Sequence, residues 1–556
     1  MAAVKKKWTV KRWLLFVSGV LVLFVMLMIF LANFYVEPVL RKRLHTLVVD
    51  GSDSLYTYTL GGLNVNFWGG HVGVNNLQVQ PDSNRYRQLK ADGKLPALVM
   101  QLDVARADIK GIAILSLLFG RKIVIDEISS QNANVKLSRY VKNREEVAAS
   151  EEKLPLWKAI QPAIKDVRVE RIKLDGIKFL YKNEDGEEGK LQFDRCDALF
   201  ENIRIDSAVV DDTSRMGYVE HISFRLNDLK YRTTDSTYKM KAEWITYNSA
   251  QRLLQVEDFK LQPTIKNEDR NDSMRKSWYT VTFDKVSFMG LRIDKYLQQN
   301  RAVADSVIFQ RPTLAVYQDK LGQKSYDSKI GRYPHQLLMK ARSVIAIKKF
   351  VASDMQIDIT EKHEETRQVG TLQLTDINLT VLNIVNDPAL IKQNPVSTAE
   401  ASGKIIGSPI QTSFRFYLDS AEGRFDVKGR IGTVTAAQLN PVSTRLANIE
   451  VPSVQIAQVD FFVRGEDYEV TSDVQMLYSN LALVFRKRDE ETGANKTRKF
   501  WTKILNRYAI NTANAGERKA EGVRVARLTT QSFFGMIWKA VFEGMQRIML
   551  KSGRVG

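Results

Sequence analysis

Three stretches of the chain carry residue types that could do chemistry. His363-Glu364-Glu365-Thr366-Arg367 opens like a zinc-protease helix, in which paired histidines hold the metal and the glutamate takes a proton from water. The second histidine is missing at the required spacing, so the stretch reads as a charged turn. Leu321-Gly322-Gln323-Lys324-Ser325 ends like a phosphate-binding loop but lacks the upstream glycine, and it reads as a hairpin turn. Trp68-Gly69-Gly70-His71-Val72-Gly73 lacks dinucleotide-loop spacing and reads as a tight bend between strands. The 5 histidines are scattered, and His71 and His221 could ligate a metal only if the fold paired them. One cysteine, Cys196, excludes a disulfide scaffold, a cysteine-ligated zinc site and a CxxC redox pair. Asp211-Asp212 is a surface turn, and no nucleophile–base set or carboxylate pair stands out. The expectation is a protein that is not an enzyme and holds neither cofactor nor metal.

What remains must be done by surfaces. The 556 residues are 44% hydrophobic and 26% charged, which suits a folded chain of several units or one elongated array. The net charge of +19 is concentrated at the ends. Residues 1–43 hold eight Lys or Arg against one acid, and residues 486–556 hold 16 against 6, leaving a nearly neutral body. A nucleic-acid binder concentrates charge on a folded face, so nucleic acid is not an expected partner. Basic ends suit anionic membrane surfaces, where each cation gives about 1 kcal/mol.

Trp13 to Tyr35 is 23 residues without a charge, about 35 Å as a helix and long enough to span a bilayer. No small-residue cleavage site follows it, which argues for a retained anchor over a signal peptide. Five positive residues precede the span, so the positive-inside bias puts the N-terminus in the cytoplasm and the bulk across the membrane.

From about residue 55 the dominant period is two. Phe224 and Leu226, Met355-Ile357-Ile359, Leu372 and Leu374, Phe414-Phe416-Leu418 and Val474-Met476-Tyr478 alternate with polar neighbours, the mark of strands with one apolar face. Short helices are expected around Leu156–Ile164 and Ile330–Arg342, and two more near the C-terminus, the first at Phe500–Tyr508. The strands also repeat. Val74–Pro81 returns as Val256–Pro263, Gly111 with Asp126 as Gly290 with Asp305, Leu154-Pro155 as Tyr333-Pro334, and Gly189–Phe193 with Asn202 as Gly370–Leu374 with Asn383. Four matches in order at nearly one offset indicate duplication. The expected organisation is a basic tail 1–12, a transmembrane helix 13–36, β-repeat units 37–230 and 231–415, a β-segment 416–485, and a basic linker with amphipathic helices 486–556.

The layout resembles the AsmA-like proteins, a group that includes TamB and the repeating β-groove lipid-transfer proteins. The resemblance rests on the N-terminal span, on Tyr58–Leu77 with its Gly61-Gly62 and Trp68-Gly69-Gly70, and on the cadence of Ile123–Leu137 and Val303–Val316. Tyr478-Ser479-Asn480-Leu481-Ala482-Leu483 and, past a basic linker, Ser532–Lys539 resemble the ending of Bacteroidota-type members. The resemblance implies a mainly β fold: an elongated, twisted, taco-like sheet with an apolar groove, anchored in the bacterial inner membrane with its bulk in the periplasm. It implies binding and transfer of phospholipids and a role in outer-membrane homeostasis. The physical logic stands beside it: a one-sided sheet must cover its apolar face with another sheet, helices or ligand.

Candidate groove-lining residues are Phe224, Leu226, Met355, Ile357, Leu372, Leu374, Phe414, Phe416 and Phe461. At the C-terminus Phe533, Phe534, Ile537, Trp538, Val541, Phe542 and Met545 form a broad stripe, expected to lie in a membrane interface, with docking onto the sheet as the competing reading. Expected partners are phospholipids, the inner membrane and, at the C-terminal end, outer-membrane or envelope proteins. The alternative function is a self-covered β scaffold that assists outer-membrane protein assembly or envelope organisation.

Overall fold

The computed structural model describes residues 38–551, except for segments 113–121, 141–165, 266–275, 489–494 and 498–509 and a few shorter stretches. The span 13–36 and the helices expected at Leu156–Ile164 and Phe500–Tyr508 lie outside the described residues. No helix among the described residues is long and apolar enough to cross a membrane. The chain is mainly β, with 62% strand and 16% helix, and 21 strands belong to one large mixed sheet. Contacts divide it into two compact units, residues 1–236 with 247–250, and residues 237–246 with 251–556.

In unit 1, β1 (Tyr56–Asn66), β2 (His71–Pro81), helix α1 (Ser83–Ala91), β3 (Leu98–Lys110), β4 (Lys122–Arg139), β5 (Asp166–Asn183), β6 (Gly186–Ile205) and β7 (His221–Arg232) follow in chain order. Each strand pairs with the next in a single ladder. All steps are antiparallel except β4–β5, which is parallel and so needs a crossover, here residues 140–165. The glycines of the expected bend, Gly69 and Gly70, lie between β1 and β2, where Gly70 takes φ 56° and a Cβ would lie 2.6 Å from the Ile112 carbonyl oxygen. Asp82 starts α1 by accepting hydrogen bonds from the backbone of Asn84 and Arg85.

β8 (Tyr238–Asn248) straddles the boundary between units. Unit 2 continues with β9 (Leu253–Pro263), β10 (Ser277–Met289), α2 (Ile293–Gln299), β11 (Arg301–Gln310), β12 (Thr313–Asp319), α3 (Pro334–Met339), β13 (Val344–Lys362), β14 (Val369–Val385), α4 (Pro388–Gln393), β15 (Val396–Ile405), β16 (Ser408–Tyr417), β17 (Phe425–Ile431), β18 (Val434–Thr435), α5 (Ala436–Ala447), β19 (Ile449–Gly465), β20 (Glu469–Arg488), β21 (Asn495–Thr497), β22 (Lys519–Ala526) and α6 (Phe533–Met549). Its one parallel step joins β11 and β12 to β13. The equivalent of β4 is split, because Pro312 lacks an N–H for the ladder and follows Arg311 at φ 46°. Leu321 to Gln323 lie in the crossover before β13, not in a hairpin, and Lys324 and Ser325 lie outside the described residues. The helix expected around Ile330–Arg342 is α3.

Local details recur between the units. Gly111 and Gly290 take φ 69° and 67°, and a Cβ on either would lie 1.9 or 2.0 Å from a carboxylate oxygen of Asp126 or Asp305. The Tyr56 hydroxyl accepts from the Met100 amide at 3.0 Å, and the Tyr238 hydroxyl accepts from the Tyr279 amide at 3.2 Å.

Candidate functional site: the apolar face of the sheet

Cross-strand register aligns apolar side chains into rows. In unit 1, Val65, Val72, Ile109, Ile128, Ile172, Phe200 and Ile222 stand opposite one another, one on each strand from β1 to β7. A second row runs Tyr58, Val79, Leu102, Val135, Phe179 and Phe193, with the last two rings stacked at 5.2 Å. In unit 2, Leu254, Phe288, Val307, Phe350, Val381, Ala399, Phe414, Val427 and Val463 form a row from β9 to β19. Beside it an aromatic ladder passes through Phe259, Phe283, Phe309 and Phe350 with centroids 4.6, 5.1 and 5.5 Å apart. Such rows are the unit of sheet cohesion, and they make one face oily from strand to strand.

Simple alternation could not hold these rows together. Along β2 the apolar positions are even at Val72 and Val74 but odd at Leu77 and Val79; on β7 they change between Leu226 and Leu229. At many of these changes sits an Asn or Asp in the left-handed region: Asn76, Asn132, Asn202 and Asp228 in unit 1, and Asp258, Asp354, Asp376 and Asn383 in unit 2, with φ between 50° and 61°. An extra residue at a bulge rotates the strand by one position, and Asn and Asp tolerate the conformation better than other side chains. The slip returns the next apolar residue to the same face.

The opposite face is polar. It carries ion pairs such as Lys110–Glu127 at 3.0 Å, Lys285–Glu257 at 3.0 Å and Arg430–Asp460 at 2.6 Å. A hollow of about 630 Å³ lies on this side of unit 2, lined by Glu400, Ser402, Gln411, Ser413, Lys428 and Arg430 among others. His71 also faces this side. Its Nε2 meets the Asp108 carboxylate at 2.9 Å, while Arg106, which donates to the same carboxylate, holds it below the usual range. His221 stands 3.7 Å from Glu220. Among the described residues no group of three His, Cys, Asp or Glu could hold a metal. Cys196 belongs to the apolar side, opposite Ile177 and Leu226, where burial pushes its thiol up.

The groove candidates fall on the apolar face. Phe224 and Leu226 lie on β7, with the Phe224 ring 5.7 Å from Tyr247. Ile357 and Leu374 stand in a row with Val281, Leu314 and Ile405, and Ile359 and Leu372 in the next; Met355 is opposite buried Ile377. Phe414, Phe416 and Phe461 are placed differently, beneath or beside the C-terminal cover. The Phe416 ring is 5.8 Å from Phe533, and Phe461 is buried over Gly429. The aromatic ladder and the Phe179–Phe193 stack escaped the sequence reading because their strands change parity midway.

The C-terminal stripe divides. Phe533, Ile537 and Val541 are buried with Met536 and Ala540 in a core that includes Phe425, Val463, Val474 and Val523. Met545 packs against the edge of that core. Phe534, Trp538 and Phe542 remain 67%, 54% and 37% exposed. Ser532 caps the helix by accepting from the Gly535 amide at 3.2 Å, and the Ser472 hydroxyl on β20 donates to the Ala540 carbonyl at 2.9 Å. Against known proteins, the chain matches no family model and no curated sequence.

Proposed function

We propose that the protein binds glycerophospholipids by their acyl chains on the apolar sheet face and assists their passage from an inner-membrane anchor at 13–36, as an AsmA-like protein of the periplasm. The observation that supports this is the set of unbroken apolar rows. Within each unit the described strands follow one ladder, so no second sheet is built from them to lie over those rows. Beyond β16 the face is covered by α6, whereas none of the helices α1 to α4 ahead of α5 is longer than nine residues. Hydrocarbon laid on such a face gains about 0.8 kcal/mol per buried CH₂ and needs no catalytic group. Alternating polar residues leave the headgroup side wet.

Photoreactive residues at Phe224 and Ile357 in the full chain test the reading. Lipid adducts at both are expected, and a third probe at Phe461 should give protein adducts; protein adducts at all three would replace it with the scaffold reading. That second reading, a tethered body for outer-membrane protein assembly or envelope organisation, draws on the self-covered part of unit 2.

A further inference from the structure

We infer that the exposed flank of α6, formed by Phe534, Trp538 and Phe542, docks onto an anionic phospholipid bilayer, separately from lipid binding on the sheet face. The three residues recur every fourth position, which stacks them along one side of a helix. The Trp538 and Phe542 rings are 6.1 Å apart and nearly parallel. A single exposed aromatic is ordinary; three in line on a helix whose other apolar face is already buried form an unsatisfied stripe.

The helix wheel fixes which side they occupy. Ser472 and Val474 of β20 lie beneath Ala540 and Gly544. Lys539 reaches toward β22, its ammonium 3.4 Å from the Ala526 carbonyl. The stripe lies on the opposite flank, toward β19. The helix thus keeps its place in the fold while presenting three aromatic rings.

Charge selects the occupant. Arg518, Lys519, Arg547 and Lys551 are exposed around the C-terminal end of α6, and the Arg518 guanidinium reaches the Leu550 carbonyl at 3.5 Å. The acids of this segment are Glu517, Glu521 and Glu543, and Glu543 is engaged 3.9 Å from Lys539. Residues 486–556 as a whole carry 16 cations against 6 acids. Exposed aromatic rings that can enter the headgroup region, on a helix whose C-terminal end is ringed by cations, are the composition of an interfacial helix. A neutral protein groove would leave that excess unused.

The test is flotation. The full chain is held in nanodiscs of phosphatidylcholine and mixed with vesicles of phosphatidylcholine alone or with phosphatidylglycerol. Co-flotation with the anionic vesicles is expected, weakening with salt. Trp538→Ser should lower it about tenfold, and the triple change at Phe534, Trp538 and Phe542 should abolish it. Because the three side chains are exposed, thermal unfolding should be unchanged, and lipid adducts at Phe224 and Ile357 should persist. Absence of co-flotation, equal flotation of the triple variant, or docking only onto a protein would overturn the inference. Loss of the adducts alone would instead count against lipid binding on the sheet.

Discussion

Arg527 has 1% of its side chain exposed, yet every direction around its guanidinium is used. It donates to the Asp467 carboxylate at 3.2 Å, to the Lys329 carbonyl at 2.7 Å and to the Gln531 carbonyl at 3.1 Å, and it lies 4.2 Å from the Tyr333 ring centre. Asp467 also accepts from the Gly331 amide and the Gln336 side chain, at 3.0 and 2.8 Å. One buried pair therefore ties the α3 crossover, the β19–β20 hairpin and the approach to α6. Arg527→Met leaves Asp467 charged, buried and short of a partner, and should cost about 3–5 kcal/mol. Urea denaturation reads this directly, and a midpoint equal to wild type would refute the latch. Nearby His335 is 4% exposed among Tyr333 and Phe416. Burial lowers its pKa from 6.5 to about 4, although the Gly423 backbone and the Asp467 charge pull upward. The fold thus prefers the neutral ring. Its contribution is complete above pH 6.5 and lost as pH falls toward 4, a span worth about 3 kcal/mol. His335→Phe should flatten the decline in melting temperature across that window; an unchanged slope would assign the acid sensitivity elsewhere.

At the scale of elements, the parity slips decide which residues share a face. If Asn76 and Asp258 are chosen for left-handed backbone, each should tolerate Gly, whereas Val should cost about 1–2 kcal/mol. A further pair tests the recurrence: Gly111→Ala and Gly290→Ala force a Cβ onto Asp126 and Asp305 at positive φ, and each should cost about 1–3 kcal/mol. Hydrogen exchange of the flanking strands measures both series, and a silent substitution in either unit would break the analogy. These positions also explain what the sequence revealed and what it hid. Period two was visible at Met355-Ile357-Ile359 and Leu372-Leu374 because those stretches lie between slips. It faded at Val74-Asn75-Asn76-Leu77 and Leu226-Asn227-Asp228-Leu229, where two polar residues separate apolar ones, a pattern that also fits a turn. The distinguishing sign is an Asx between apolar pairs of opposite parity. The C-terminal stripe was only half legible for another reason. A helix with one face in a core and a second apolar flank in the open has the composition of an interfacial helix, and only the docking partner separates the two arcs.

At the scale of the molecule, each unit carries its own parallel step and its own rows, so hydrocarbon binding should divide by unit. Val381 sits mid-row in unit 2 between Phe350 and Ala399, while its neighbour Thr380 faces the polar side beside Glu400. A carboxylate at Val381 would have to lose its hydration against acyl chains, which costs several kcal/mol; at Thr380 it stays wet. Val381→Asp should therefore remove lipid adducts at Ile357 and lower stability by about 2–3 kcal/mol. Thr380→Asp should do neither, and it controls for added charge. Because the rows of unit 1 are built entirely from β1 to β7, adducts at Phe224 should survive Val381→Asp. The converse change, Val135→Asp in the row of Phe179, should spare Ile357. If either substitution emptied both sites, the binding surface would have to act as a single track on which an interruption anywhere blocks loading; if neither emptied its own, the rows would be cohesion within the sheet and no lipid would rest on them.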